Sequence, residues 1–160
     1  MTNTVLAPGK RAPAFTLQSD KGERVRLTEH RGRWVVLMFF PKAASPTCTR
    51  QMLDFQATAA EFQGLGAMLL GICPEAKEKL AGFREGCSLG FPLLHDRDAK
   101  LAIKYGVYRK RKTSARDYFG IVRSTFLIDP SGRIAHLWDN LRVKGHVSRV
   151  VARLREERQV

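Results

Sequence analysis

Cysteine is scarce in this chain of 160 residues: there are three, Cys48, Cys73 and Cys87, too few and too irregularly spaced for a disulfide scaffold. No C-x-x-C pair occurs, which weighs against a dithiol exchanger. No apolar run approaches the roughly eighteen residues of a membrane span, and the opening MTNTVLAPGKRAPAF has no hydrophobic core of signal-peptide length. A cytoplasmic protein without a membrane partner is expected. The four histidines, His30, His95, His136 and His146, are dispersed and form no metal-ligand pattern, so no metal is expected. No Pro/Gly/Ser-rich linker divides the chain, which predicts one domain over 1–160. Acidic side chains are also few, 15 against 28 Lys and Arg, for a net charge of +13. That balance favours contact with polyanions and says little about fold.

What is present is organised around Trp34 to Thr49, WVVLMFFPKAASPTCT. Seven apolar residues, rich in Val and Phe and without polar alternation, predict a strand covered on both faces. Pro41 ends its pairing. Ser45-Pro46 is a helix-start signal, with either Ser45 or Thr47 as the cap, and both choices leave Cys48 in the first turn. Unpaired amides and the positive end of the helix dipole favour an anion there, and the thiolate is the nucleophilic form of cysteine. Cys48 is therefore the candidate reactive thiol.

The rest of the chain alternates. Short extended runs over residues 13–27, around Asp20-Lys21-Gly22, predict an N-terminal β-hairpin. Thr49 to Gln63 carries Met52, Phe55, Ala59 and Phe62 at helical spacing. Ala67 to Cys73 reads as a second buried strand, Glu75 to Gly86 as a helix with Leu80 and Phe83 inward, Phe91 to Leu94 as a short strand, and Ala99 to Tyr105 as a short helix. Ser124 to Ile128 and Ile134 to Trp138, joined by Asp129-Pro-Ser-Gly, form a hairpin. Val147 to Arg158 is an amphipathic helix. This order indicates an α/β fold with a mixed central sheet flanked by helices. Between those elements Arg109-Lys110-Arg111-Lys112, with Tyr105, Tyr108 and Tyr118 interleaved, reads as a solvated basic loop, and nucleic acid is its alternative partner.

Pro41, Ser45 and Cys48 fit P-x3-[ST]-x2-C, and here the chain resembles the peroxiredoxins, in particular the bacterioferritin comigratory protein or peroxiredoxin Q branch. GKRAPAFTL, GFPLLHD and GIVRSTFLIDPSGRI extend the likeness over Pro8 to Leu154, in the family's order and spacing. The resemblance implies a thioredoxin-like fold and a thiol peroxidase. Cys48 would attack a peroxide and become a sulfenic acid, with thioredoxin or another thiol reductant supplying electrons. The thiol chemistry that the resemblance implies needs no other cofactor. Breaking an O–O bond needs a thiolate, a donor that positions the peroxide and positive charge near the leaving oxygen. By the resemblance, Ser45 supplies the hydroxyl, where most relatives carry Thr. Pro41 shields the thiolate, and Arg123 is the cation. Many members of this branch carry a second cysteine five residues after the first; here that position is Leu53, and Gln51 stands where Glu is common. Resolution of the sulfenic acid then falls to an external thiol, to Cys87 or to Cys73. A redox sensor on the same fold and a basic nucleic-acid-binding module are the rival functions.

Overall fold

Strand β3 (Trp34–Phe39) is buried on both faces because its side chains alternate between two apolar layers. Val36 and Met38, with the following Phe40, enter one layer; Val35, Leu37 and Phe39 enter the other. The structure is a computed structural model and describes residues 6–159. Met1–Val5, part of the opening read above for a signal peptide, and Val160 lie outside those residues. Among the described residues no helix is long and apolar enough to cross a membrane.

On one side β3 pairs in parallel with β4 (Ala67–Cys73), which pairs in parallel with β5 (Leu93–His95). On the other it pairs antiparallel with β8 (Ser124–Ile128), which forms the expected hairpin with β9 (Ile134–Trp138). The N-terminal hairpin, β1 (Thr16–Ser19) and β2 (Arg24–Arg26), turns at Gly22, whose φ of +83° suits glycine. It does not stand apart from the main sheet: β1 pairs with β5, giving the seven-stranded order β2-β1-β5-β4-β3-β8-β9.

The layer containing Val36 and Met38 is closed by α1 (Pro46–Ala57), α2 (Ala59–Gly64), α3 (Lys77–Cys87) and α5 (His146–Arg158), through Met52, Phe55, Phe62, Leu80, Phe83, Val150 and Leu154. The opposite layer receives α4 (Lys100–Lys104) through Leu101 and Ala102. The buried Asp96 carboxylate accepts from the amides of Leu101 (2.8 Å) and Ala102 (2.9 Å), satisfying two donors at the start of this short helix.

Three sequence expectations need correction. The helix expected over Thr49–Gln63 is two helices, broken at Thr58, whose hydroxyl donates back to the Asp54 carbonyl (3.1 Å). The short strand begins at Leu93 instead of Phe91, since Pro92 has no amide to donate. The basic stretch is no loop. β6 (Tyr108–Lys112) and β7 (Asp117–Ile121) form an antiparallel ribbon outside the main sheet.

Candidate active site

The loop after β3 delivers Cys48 to the first turn of α1, and local chemistry sets how. Ser45 is the cap: its Oγ accepts from the Cys48 amide (3.3 Å), and Pro46 occupies the first helical position, where a missing N–H costs nothing. The other side of that hydroxyl makes a long contact to the Lys42 carbonyl (3.4 Å). Ala44, just before the cap, has a φ of +63°, the left-handed region that costs a non-glycine residue about 1–2 kcal/mol. Pro41 lies half-buried at the start of the same loop, and no hydrogen bond of the described residues joins it to the sulfur.

Arg123 arrives from 75 residues away. It immediately precedes β8, and Ser124 pairs with Phe39, so the antiparallel register carries Arg123 past the end of β3 to where the chain turns toward α1. Its Nη1 donates to Cys48 Sγ (3.3 Å) and to Gln51 Oε1 (2.6 Å). The Arg123 carbonyl accepts from the Leu141 amide (3.0 Å), which anchors the backbone. Cys48 and Gln51 are both fully buried, whereas Arg123 is half-buried. A peroxide therefore reaches the sulfur only when the Pro41–Ser45 loop or the guanidinium gives way.

Gln51 is the site residue that sequence reasoning noted only as a departure from relatives. It stands three residues after Cys48, on the same helix face, and that spacing is the signal that marks it. An arginine is a donor only, so the amide oxygen must face it. The other amide atom, Nε2, is buried with no partner, a cost of about 1–3 kcal/mol. A neutral amide thus orients the guanidinium without cancelling its charge.

The other sulfurs sit differently. Cys73 ends β4 beside the residue that follows β3 and is fully buried. Burial pushes its thiol up to about 12, with backbone hydrogen bonds at Glu75 and Ala43 offsetting part of the effect. Cys87 is the last residue of α3, partly buried against the same apolar layer as Cys48, and burial raises it as well. Leu53 is 42% exposed on α1. Of the four residues predicted from sequence, the structure gathers Cys48, Ser45 and Arg123 around one sulfur; Pro41 shares only the loop.

His146 borders this group without entering it. It is buried against Phe55 and Trp138, bonds Thr125 Oγ1 through Nε2 (2.9 Å), and is lowered to about 4 by burial and then by the Arg149 and Arg123 charges. Its ring is therefore neutral near pH 7 and adds no charge beside Arg123.

A buried thiol at a helix tip, held by a hydroxyl cap and a guanidinium, suits nucleophilic attack on an electrophile whose leaving atom gains negative charge. The family model described as AhpC/TSA matches residues 8–137. Peroxiredoxin Bcp of Bacillus subtilis is 38% identical over 148 residues, covering 92% of this chain and 94% of that protein. A structure of Xanthomonas campestris peroxiredoxin Q superposes with a TM-score of 0.86 at 33% identity, covering 97% of this chain and 98% of that one. Another, of the X. campestris bacterioferritin comigratory protein, studied for its alkyl peroxide reduction activity, gives 0.87 at 30%, covering 98% and 99%. Agreement of sequence, fold and extent along nearly the whole chain leaves one assignment: this protein belongs to the AhpC/TSA family and is a peroxiredoxin of the bacterioferritin comigratory protein branch, a peroxidase on a thioredoxin-like fold.

Proposed function

We propose that residues 1–160 act as one domain that reduces hydrogen peroxide and small organic hydroperoxides through a sulfenic acid at Cys48. The alkyl peroxide activity named for the X. campestris relative supports the substrate class. The observation that carries the proposal is the Arg123 guanidinium 3.3 Å from Cys48 Sγ. In the reaction the thiolate attacks the terminal peroxide oxygen and the O–O bond breaks. The sulfur gains that oxygen and is oxidised by two electrons, while the departing alkoxide or hydroxide takes up a proton. Arg123 stabilises both the attacking sulfur and the oxygen that gains charge. Ser45 Oγ, released from its long contact to Lys42, donates to the peroxide, and Pro41 limits water at the sulfur.

A thiol then condenses with the sulfenic acid, expelling water and forming a disulfide, which thioredoxin or a comparable cytoplasmic thiol reductant reduces. Leu53 cannot serve, and Cys73 is handicapped because burial keeps its thiol protonated. The remaining routes are Cys87, after the last turn of α3 opens, and the reductant's own thiol. Intact mass after one equivalent of peroxide separates them: loss of two hydrogens that disappears in Cys87→Ser identifies Cys87, and a persistent sulfenic acid identifies the external thiol. The function itself is tested by Cys48→Ser, in which peroxide consumption is expected to vanish; retained turnover would refute it.

A further inference from the structure

The β6–β7 ribbon has no part in the chemistry at Cys48, and its composition is unusual for an exposed two-stranded element. Five basic side chains, Arg109, Lys110, Arg111, Lys112 and Arg116, face one carboxylate, Asp117. Register assigns the faces. Tyr108 pairs with Ile121, Lys110 with Phe119 and Lys112 with Asp117, so these six share one face; Arg109, Arg111 and Tyr118 share the other. On the first face the Tyr108 and Phe119 rings stack, with centroids 6.1 Å apart and planes inclined by 28°. Phe119 is nonetheless 63% exposed, and Tyr118, on the opposite face, is 43% exposed. The pair lies in water beside Lys110, whose Nζ is shared with Asp117 (3.4 Å) on the same face, and it stabilises nothing in the core.

The ribbon is also firmly based. Arg109 pairs with Asp139 outside the ribbon (2.5 Å), and at its base the amide of buried Val122 donates to the carbonyl of buried Val107 (2.7 Å). A fixed ribbon holding π-faces among cations meets the two requirements of single-stranded nucleic acid: phosphates that track positive charge and bases that stack on rings. A second copy of this chain would bring a ribbon of the same net charge, +4, against it, which charge complementarity disfavours.

We infer that the β6–β7 ribbon is a binding surface for single-stranded nucleic acid, with Tyr108 and Phe119 as the stacking platform and Lys110 and Lys112 as phosphate contacts. The test is fluorescence anisotropy of a labelled oligothymidylate of about twenty nucleotides, titrated with the full chain across a salt series. Phe119→Ala is expected to weaken binding about tenfold while leaving the salt dependence unchanged, and Phe119→Leu, which keeps apolar bulk without the ring, to behave the same way. The Lys110→Gln/Lys112→Gln pair is expected to flatten the slope of log K against log salt by about 1.4, the equivalent of two phosphate contacts. Removal of two exposed lysines elsewhere, Lys10→Gln/Lys21→Gln, should leave that slope within about 0.3 of wild type. Circular dichroism melts confirm that each variant is folded, and Phe119 is exposed enough for either replacement to be tolerated. Binding that ignores Phe119, a control pair as damaging as the ribbon pair, or equal affinity for duplex of the same length would overturn the inference. So would a concentration-dependent dimer abolished by Phe119→Ala.

Discussion

Cys48 and Cys73 lie beyond or at the same ends of two adjacent parallel strands, and both are fully buried. Their surroundings are otherwise opposite. Cys73 meets apolar side chains and two backbone hydrogen bonds, and burial pushes its thiol up to about 12. Cys48 meets an arginine guanidinium and the first turn of a helix whose cap is its own neighbour, Ser45. Burial alone silences a thiol because it removes water from the charged form. Burial with donors already in place replaces that water by fixed dipoles and a cation, and the same dryness then strengthens each interaction. Cys73 has backbone donors too, so with depth common to both the contrast lies in the charge at hand, the Arg123 guanidinium at Cys48 against the Glu75 carboxylate near Cys73.

The sharpest way to break the contrast is to make Cys48 resemble Cys73. Arg123→Met leaves Cys48 buried without its cation and is expected to lower kcat/KM for peroxide by about 10²–10³ in stopped-flow assays. Arg123→Lys, which keeps charge but loses the planar fork, should recover only part.

His146 shows burial acting on a second titrating group in the same layer. Its folded value of about 4 lies below the ordinary 6.5, so the unfolded chain takes up the proton first as pH falls. The stability it contributes is complete above about pH 6.5, declines as pH drops and is gone once pH passes below about 4. The loss is on the order of 3 kcal/mol. Urea denaturation at pH 7 and pH 4 should show this decline in the wild type and a correspondingly smaller one in His146→Gln.

A finer probe is Gln51→Leu. Loss of the amide oxygen frees the guanidinium to drift from the sulfur, and an approximately tenfold fall in kcat/KM is expected. The same change removes an unpaired buried donor, so the thermal midpoint should hold or rise. A parallel fall in stability and activity would mark Gln51 as merely structural. The smallest effect is expected from Cys73→Ser, with initial peroxide turnover within about twofold of wild type. A large loss would erase the distinction between the two thiols.

Much of the frame is legible in the sequence because burial there has a simple pattern. Ala67–Cys73 is bounded in the fold as the apolar run predicts, and the Asp129 turn places β8 and β9 as expected. The helix start at Ser45-Pro46 is likewise readable from local rules, which left only Ser45 and Thr47 to be separated. Arg123 is different: among 28 basic residues nothing local distinguishes it, and only the family block around it does. The sheet register then explains its arrival at Cys48. Gln51 is only half legible: its spacing from Cys48 puts it on the same helix face, but a polar residue there gives no sign of its burial until Arg123 is in place. The ribbon is hidden because Tyr108–Lys112 lacks apolar alternation; its order comes from β7 across the turn, with both faces largely exposed.

The central claim, that Arg123 and the α1 terminus make Cys48 the peroxide-reactive sulfur, is tested most directly by trapping. One equivalent of hydrogen peroxide is added to the reduced protein with a sulfenic-acid trap in excess, and the adduct is located by peptide mass mapping in the wild type and in Arg123→Met. The expected result is an adduct on Cys48 that forms far more slowly in the variant. An adduct on Cys73 or Cys87 in its place, or a Cys48 adduct formed equally fast without the guanidinium, would contradict the claim.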